Sequence, residues 1–327
     1  MMFGPIGKVV DEKKLRDQLL GSYSTIKARI SKLTHGVSIF KKDYEKWYLP
    51  LVVHYVNERD SKGISSYIVG LSGGVGAGKS ILSVILRVSL EFLGFKVLAF
   101  SIDDYYKNPK ERDKWRRNHA GNPFYKYRGL FGMHQVKELR HVLSDLILGK
   151  NETILHFDKG LLGGKGDTDW KRDIDTRMDF VIFDGWCIGM PSFTVDEFME
   201  GINSTAYGKS VWKKLGASRN DLLTVLHELD LYQAIWDHCD SNLLLLAKNV
   251  RWIEEWRLEQ EHRLIKHEGK GMTDLQVKGF VFSFIPFILQ FYHMISEKEE
   301  GDIFDIVLRL SKVHLPVKVD FYSSEIN

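Results

Sequence analysis

The segment Gly73-Gly74-Val75-Gly76-Ala77-Gly78-Lys79-Ser80 satisfies the pattern G-x-x-x-x-G-K-[ST]. Its glycines let the backbone curl so that the N–H groups point inward around phosphate oxygens, and a following helix adds the positive end of its dipole. Lys79 is then expected to neutralise charge on the outer phosphates, and the Ser80 hydroxyl to ligate Mg²⁺. The bland alternative is a flexible glycine-rich turn. What separates the two is context: the loop must leave a strand and open a helix. Tyr67–Leu71 reads as a buried strand, and Lys79–Leu93 as a helix closed by Gly94.

Two acidic positions extend this reading. Asp184 ends the apolar run Phe180–Phe183, at the carboxyl edge of a strand, where it could hold Mg²⁺ directly or through water. An ordinary strand-terminating aspartate would look the same. Asp103 and Asp104 follow the run Val97–Ile102. Transfer of a phosphoryl group to an alcohol needs a carboxylate that accepts the hydroxyl proton, and ligands of open α/β sheets bind outside the carboxyl ends of the strands. On local sequence either aspartate could serve, with the other capping the next segment.

The positioning elements alternate. After Lys79–Leu93 come the run Val97–Ile102, a helix Val136–Leu148 ending at Gly149, and strands at Phe180–Phe183, Leu243–Leu246 and Ile306–Leu310. Strands separated by helices predict crossover units and a mostly parallel sheet in a three-layer α/β fold. Before them, Asp11–Leu33 shows helical spacing with a break at Gly21, and Asp43–Glu58 reads as a helix kinked at Pro50. The expected organisation is a helical N-terminal extension over 1–65 and a phosphate-binding domain over 66–327. Within it, 191–220 lacks clear periodicity and is read as an insertion over the active face.

Composition narrows the function classes. The 327 residues are 44% hydrophobic and 27% charged, enough for a full core without disulfides or structural metal. Lys plus Arg number 46 against 43 Asp plus Glu, a balance that argues against a nucleic-acid partner. The densest basic stretch, Lys107–Arg117, is broken by Glu111 and Asp113 and reads as a solvated face. The two cysteines and the lack of zinc-type spacing favour a reducing compartment. The first twenty residues lack the apolar run of a secretory signal. Val277–Tyr292, interrupted by Lys278, Ser283 and Pro286, reads as a buried helix and not a membrane span. A soluble cytoplasmic protein with a small-molecule partner is the expectation.

The blocks GGVGAGKS, SIDDYY, FDKGLLGGKGD, VIFDGW and WRLEQEHRLIKHEGKGMTD together resemble the D-glycerate 3-kinase family and its fungal kinase relatives. These belong to the wider group that holds uridine kinase, phosphoribulokinase and bacterial pantothenate kinase. The resemblance runs from about Ser66 to about Tyr292 and leaves the first sixty residues unexplained. It implies a P-loop NTPase fold with a lid near 251–272, ATP and Mg²⁺ as cofactors, and Asp103 as the base in preference to Asp104. It also implies that Asp158 and Lys159 line the acceptor pocket, that Arg128 falls in a pocket segment, and that Arg257 lies near the lid over the phosphates. Gln260 and Glu261 would hold that helix in place.

Each assignment has a plainer counterpart. Arg257–Glu261 and Glu259–Arg263 are four apart and could be helix-surface ion pairs. Arg128 could be a solvated loop charge and Lys159 a surface lysine. His134 is read as a packed, hydrogen-bonded histidine or as a substrate contact. The family's PGTHD segment is Leu130-Phe131-Gly132-Met133-His134-Gln135 here, and the usual glutamate of its FEGW segment is Asp184. Those departures leave the nucleotide half intact and alter the acceptor half. The expected activity is transfer of the ATP γ-phosphoryl group to a hydroxyl of a small anionic metabolite, D-glycerate first, with Arg128 and Lys159 on its carboxylate. A nucleoside or pantothenate kinase is the alternative, with Tyr105, Tyr106, Phe124 and Tyr125 as stacking partners. An ATP-binding regulatory protein is the rival from another class.

Overall fold

The computed structural model describes residues 11–269, 271–297 and 304–322. The first ten residues of the predicted N-terminal extension, and Lys270 of the GKGMTD block, lie outside that set. Eight strands are present among the described residues: β1 (Tyr67–Gly73), β2 (Val97–Ser101), β3 (Glu152–Asp158), β4 (Asp167–Ile174), β5 (Phe180–Asp184), β6 (Ser241–Ala247), β7 (Ile306–Leu310) and β8 (Pro316–Phe321). Six form one sheet in the order β2-β5-β1-β6-β7-β8, parallel except for the β7–β8 pair. All five strand runs read from sequence are in it. β1 and β5 are buried along their whole lengths, as strands covered on both faces must be.

Register decides what meets at the carboxyl edge. Asp184 of β5 is level with Leu71 of β1 on one side and with Ser101 of β2 on the other. The loop after β1, the turn after β2 and the end of β5 are thereby gathered at one rim. Strand order and not sequence order does this, since β5 inserts between β2 and β1.

The N-terminal helices Glu12–Gly21 and Tyr23–Leu33 separate at Ser22, one residue beyond the predicted break. Leu15, Leu19, Ile26 and Ile30 join the main core. Arg29 of the second helix pairs with Glu91 at 2.5 Å, and Tyr44, further along the chain, shares a 2.8 Å hydrogen bond with Ser89, so the N-terminal segment clasps the helix that follows β1. A π turn at Tyr44–Tyr48 precedes Pro50, which supplies no N–H to a regular helical ladder.

The stretch 191–220 proves largely helical, a difference from its aperiodic reading. Thr194 and Glu197 form a capping box on Val195–Asn203, and Thr205 caps Ala206–Leu215. Both helices are one-sided, burying Phe198 and Ile202 in the first and Val211 in the second, but each spans too few turns for that period to stand out in the sequence. A second difference is the β3–β4 hairpin, whose β4 is almost wholly exposed and lacks apolar alternation. Helix Asp274–Glu297 is long and apolar enough to cross a membrane, yet Val277, Val281, Phe284, Phe287 and Phe291 are buried in the core.

Candidate active site

Between β1 and the helix Lys79–Phe92, Gly76 (φ +80°) and Gly78 (φ +94°) take the left-handed conformations that let the loop close into a cradle. Lys79 Nζ donates to the carbonyls of Gly73 (2.8 Å) and Gly74 (3.1 Å) at the loop's entrance. Burial depresses the Lys79 pKa, and attraction from Asp184 and Asp103 opposes it. Ser80 is exposed at the start of the helix.

The helix Trp252–Glu268 lies directly on this loop. A Cβ added to Gly76 would meet Arg257 N and Trp256 C at 3.0 Å, so only glycine permits the approach. His314, from the β7–β8 turn, donates its Nε2–H to the Gly76 carbonyl at 3.0 Å and packs on Trp256 with ring centroids 4.3 Å apart. Nothing in the sequence reading pointed to His314. It reaches the loop only because β7 and β8 pair. Arg257 and Glu261 are both buried and lie 2.6 Å apart. This pair is no helix-surface contact, whereas Glu259–Arg263 (3.8 Å) is exposed. Glu261 also accepts the Met272 N–H at 2.6 Å, tying down the chain beyond the helix.

Asp103 sits in a 3₁₀ turn, Ile102–Tyr105, immediately after β2. Its Oδ2 lies 2.6 Å from Lys159 Nζ, and its Oδ1 is 4.0 Å from His134 Nε2. Burial would raise its pKa, but Lys159 and His134 together hold the carboxyl well below the usual range. Asp104 faces the other way. It accepts the N–H groups of Ser101 (2.8 Å) and Phe157 (3.0 Å), capping the turn and fastening the hairpin. Burial pushes Asp104 up to about 6.

Asp184 is also buried, and burial raises its pKa against the pull of Lys79. His134 is buried with Nδ1 2.7 Å from the Tyr232 hydroxyl, which also accepts the Gly132 N–H at 3.2 Å, and it stacks on Tyr106 at 4.4 Å. Met133 lies in the core and Gln135 donates to the Tyr106 carbonyl at 3.0 Å, so both departures from the PGTHD pattern have packing roles. Asp158 accepts the Gly160 N–H at 2.7 Å at the hairpin tip. Half-buried Arg128 donates to the Gly164 carbonyl across the same tip. Arg112 corrects the solvated-face reading of Lys107–Arg117: its neighbours face water, while it is 2% exposed.

A glycine-rich cradle opening a helix from the central strand of such a sheet, with an ionised carboxylate at the same rim, is the architecture of the P-loop kinases. The chain is a kinase of that fold. No protein-family model matches it. It is 33% identical over 238 residues to the uncharacterized kinase mug58 of Schizosaccharomyces pombe, covering 71% of this chain and 83% of that one. It is 30% identical over 235 residues to the probable ATP-dependent kinase TDA10 of Saccharomyces cerevisiae, covering 66% and 74%. In fold it is similar to a solved D-glycerate 3-kinase from Cryptococcus neoformans, with TM-score 0.68, 24% identity, and 79% and 90% of the two chains covered. The chain belongs to the family of fungal ATP-dependent kinases that these two relatives represent.

Proposed function

We propose that this kinase transfers the γ-phosphoryl group of ATP to a hydroxyl of a small anionic metabolite, with D-glycerate the first acceptor to test. The observation that carries the reading is Asp103: a carboxylate held ionised by Lys159, on the rim that also carries the Lys79 loop and Asp184. As the acceptor oxygen bonds to the γ-phosphorus and the bond to the β-bridging oxygen breaks, the hydroxyl proton passes to Asp103, and the electron pair leaves with ADP. Catalysis of this kind rests on positioning and charge stabilisation. Lys79 and the loop N–H groups hold the phosphates, and Arg257 is the lid arginine on the transferring group. Ser80 and Asp184 offer hard oxygen donors that fit Mg²⁺, and a cation there would relieve the buried Asp184 charge. When bound, Mg²⁺ supplies charge neutralisation on the β- and γ-phosphates.

The nucleoside alternative loses its stacking platform. Tyr105, Phe124 and Tyr125 are buried against Phe100, Phe287 and Trp115, and Tyr106 is covered by His134. The deciding experiment measures ATP consumption with D-glycerate, pantothenate, uridine and glycerol. Turnover of D-glycerate above the others supports the proposal. Preference for uridine overturns the anionic acceptor, and ATP binding without turnover on any acceptor favours a regulatory protein.

A further inference from the structure

Arg112, on the helix Pro109–Asn118, is the buried charge that the mechanism above leaves without a task. One of its guanidinium nitrogens, Nη2, donates to the Gly166 carbonyl. The other, Nη1, is buried with no hydrogen-bond partner. Among the described residues no carboxylate forms an ion pair with it. The charged side chain that acts on it most strongly is a second cation, Arg128. Burial first, and then Arg128, depress the Arg112 pKa, with Asp167 only a weaker opposing influence. Both guanidiniums lie against the Phe157 ring, Arg112 at 5.2 Å and Arg128 at 5.9 Å. Anchoring a glycine carbonyl requires one neutral donor. It does not require a second cation against the same aromatic ring, nor a stranded N–H in a desolvated setting.

The pair stands beside the candidate base. Arg112 lies 5.8 Å from the Tyr106 ring, and the Tyr106 hydroxyl feels both the Asp103 carboxylate and the Arg128 guanidinium. One tyrosine thus bridges a cationic pair and a proton acceptor. Lys159 is committed to Asp103 at 2.6 Å, which leaves the two arginines as the cations available to an acceptor's own charge. A planar guanidinium pair suits the oxygens of a carboxylate or a phosphate.

We propose that Arg112 and Arg128 form the anion subsite of the acceptor pocket. A small hydroxy acid would place its carboxylate between the two guanidiniums and its hydroxyl at Asp103, with Arg112 setting the preference for anionic over neutral acceptors. The inference rests on the phosphotransfer reading for the direction of the hydroxyl, but the anion site itself is testable without turnover.

The test is thermal melting of the full chain without nucleotide, at constant ionic strength, with D-glycerate, pantothenate or inorganic phosphate, and with glycerol as the neutral comparison. We expect at least one organic anion to raise the melting temperature in a saturating way, and glycerol at the same concentration to leave it unchanged. A response to phosphate alone would assign the site to a phosphorylated ligand and overturn the hydroxy-acid assignment. Arg112→Met and Arg128→Met should each weaken the apparent affinity at least tenfold. Half-exposed Arg128 keeps the test open if Arg112→Met fails to fold, and Arg112→Lys should restore part of the binding. No response from the wild type, or unchanged affinity in both Met variants, overturns the subsite. Anion binding retained by Asp103→Asn without turnover leaves the subsite standing, whereas turnover of glycerol in preference to every anion removes it and leaves phosphotransfer intact.

Discussion

Lys159 Nζ lies 2.6 Å from Asp103 Oδ2, joining the tip of the β3–β4 hairpin to the turn after β2. The contact does two things at once. It holds the carboxyl well below its usual range where burial alone would raise its pKa, and it ties an exposed hairpin to the rim of the main sheet.

Lys159→Met should therefore move the acid limb of the kcat/KM profile to higher pH. With the cation gone, burial dominates and the Asp103 pKa rises, by roughly one unit or more for an opposite charge at this range. For stability the sign is equally definite. A carboxyl depressed in the folded state contributes above its unfolded pKa of about 4, and the contribution is lost as pH falls through the folded value. The variant should thus lose stability at neutral pH and show a weaker acid dependence. An unshifted acid limb would remove Asp103 from the role of base.

Asp103→Asn should lower kcat by about 10² or more, the usual scale for a lost general base. ATP affinity, measured by calorimetry, should stay within a few fold. Asp104→Ala should behave differently. It strands the Ser101 and Phe157 N–H groups, at about 1–3 kcal/mol each where they are desolvated, and should lower the melting temperature more than it lowers kcat. Equal kinetic losses at the two positions would contradict the division of labour.

Gly76→Ala places a methyl group 3.0 Å from Trp256 C and Arg257 N on a backbone with φ +80°. The helix Trp252–Glu268 must then move off the loop, or the loop must open. Either result should weaken ATP binding at least tenfold, whereas Gly121→Ala, strained but in open space, should leave ATP affinity alone. Unchanged nucleotide affinity in Gly76→Ala would separate that helix from nucleotide binding.

Glu261→Ala leaves Arg257 buried without its partner, which typically costs about 3–5 kcal/mol. It also frees the Met272 N–H. The double variant Arg257→Met/Glu261→Leu should recover much of that stability in thermal melts while remaining inactive, because it lacks the arginine proposed to act on the transferring group. A double variant as unstable as Glu261→Ala would assign the loss to the Met272 contact and not to the stranded charge.

What the sequence determined by itself is local and short in span. The run from Tyr67 to Leu93 contains strand, cradle and helix in succession, and backbone preferences of neighbouring residues suffice to build it. Apolar runs of strand length located the five parallel strands, because a strand covered on both faces must be hydrophobic throughout. The rest depended on burial and on pairs far apart in the chain. β4 carries no alternation, since both its faces are largely exposed, so the hairpin that brings Lys159 to Asp103 had no periodic signal. The choice between Asp103 and Asp104 became a matter of direction once the hairpin supplied Lys159 to one and the Phe157 N–H to the other. His314 meets Gly76 from 238 residues away, through the pairing of β7 and β8. Arg112 reads as one more charge in a basic helix, and only tertiary packing takes it out of water. Residue type and spacing fix which groups can do chemistry, whereas desolvation and neighbouring charge decide which of them is placed to do it.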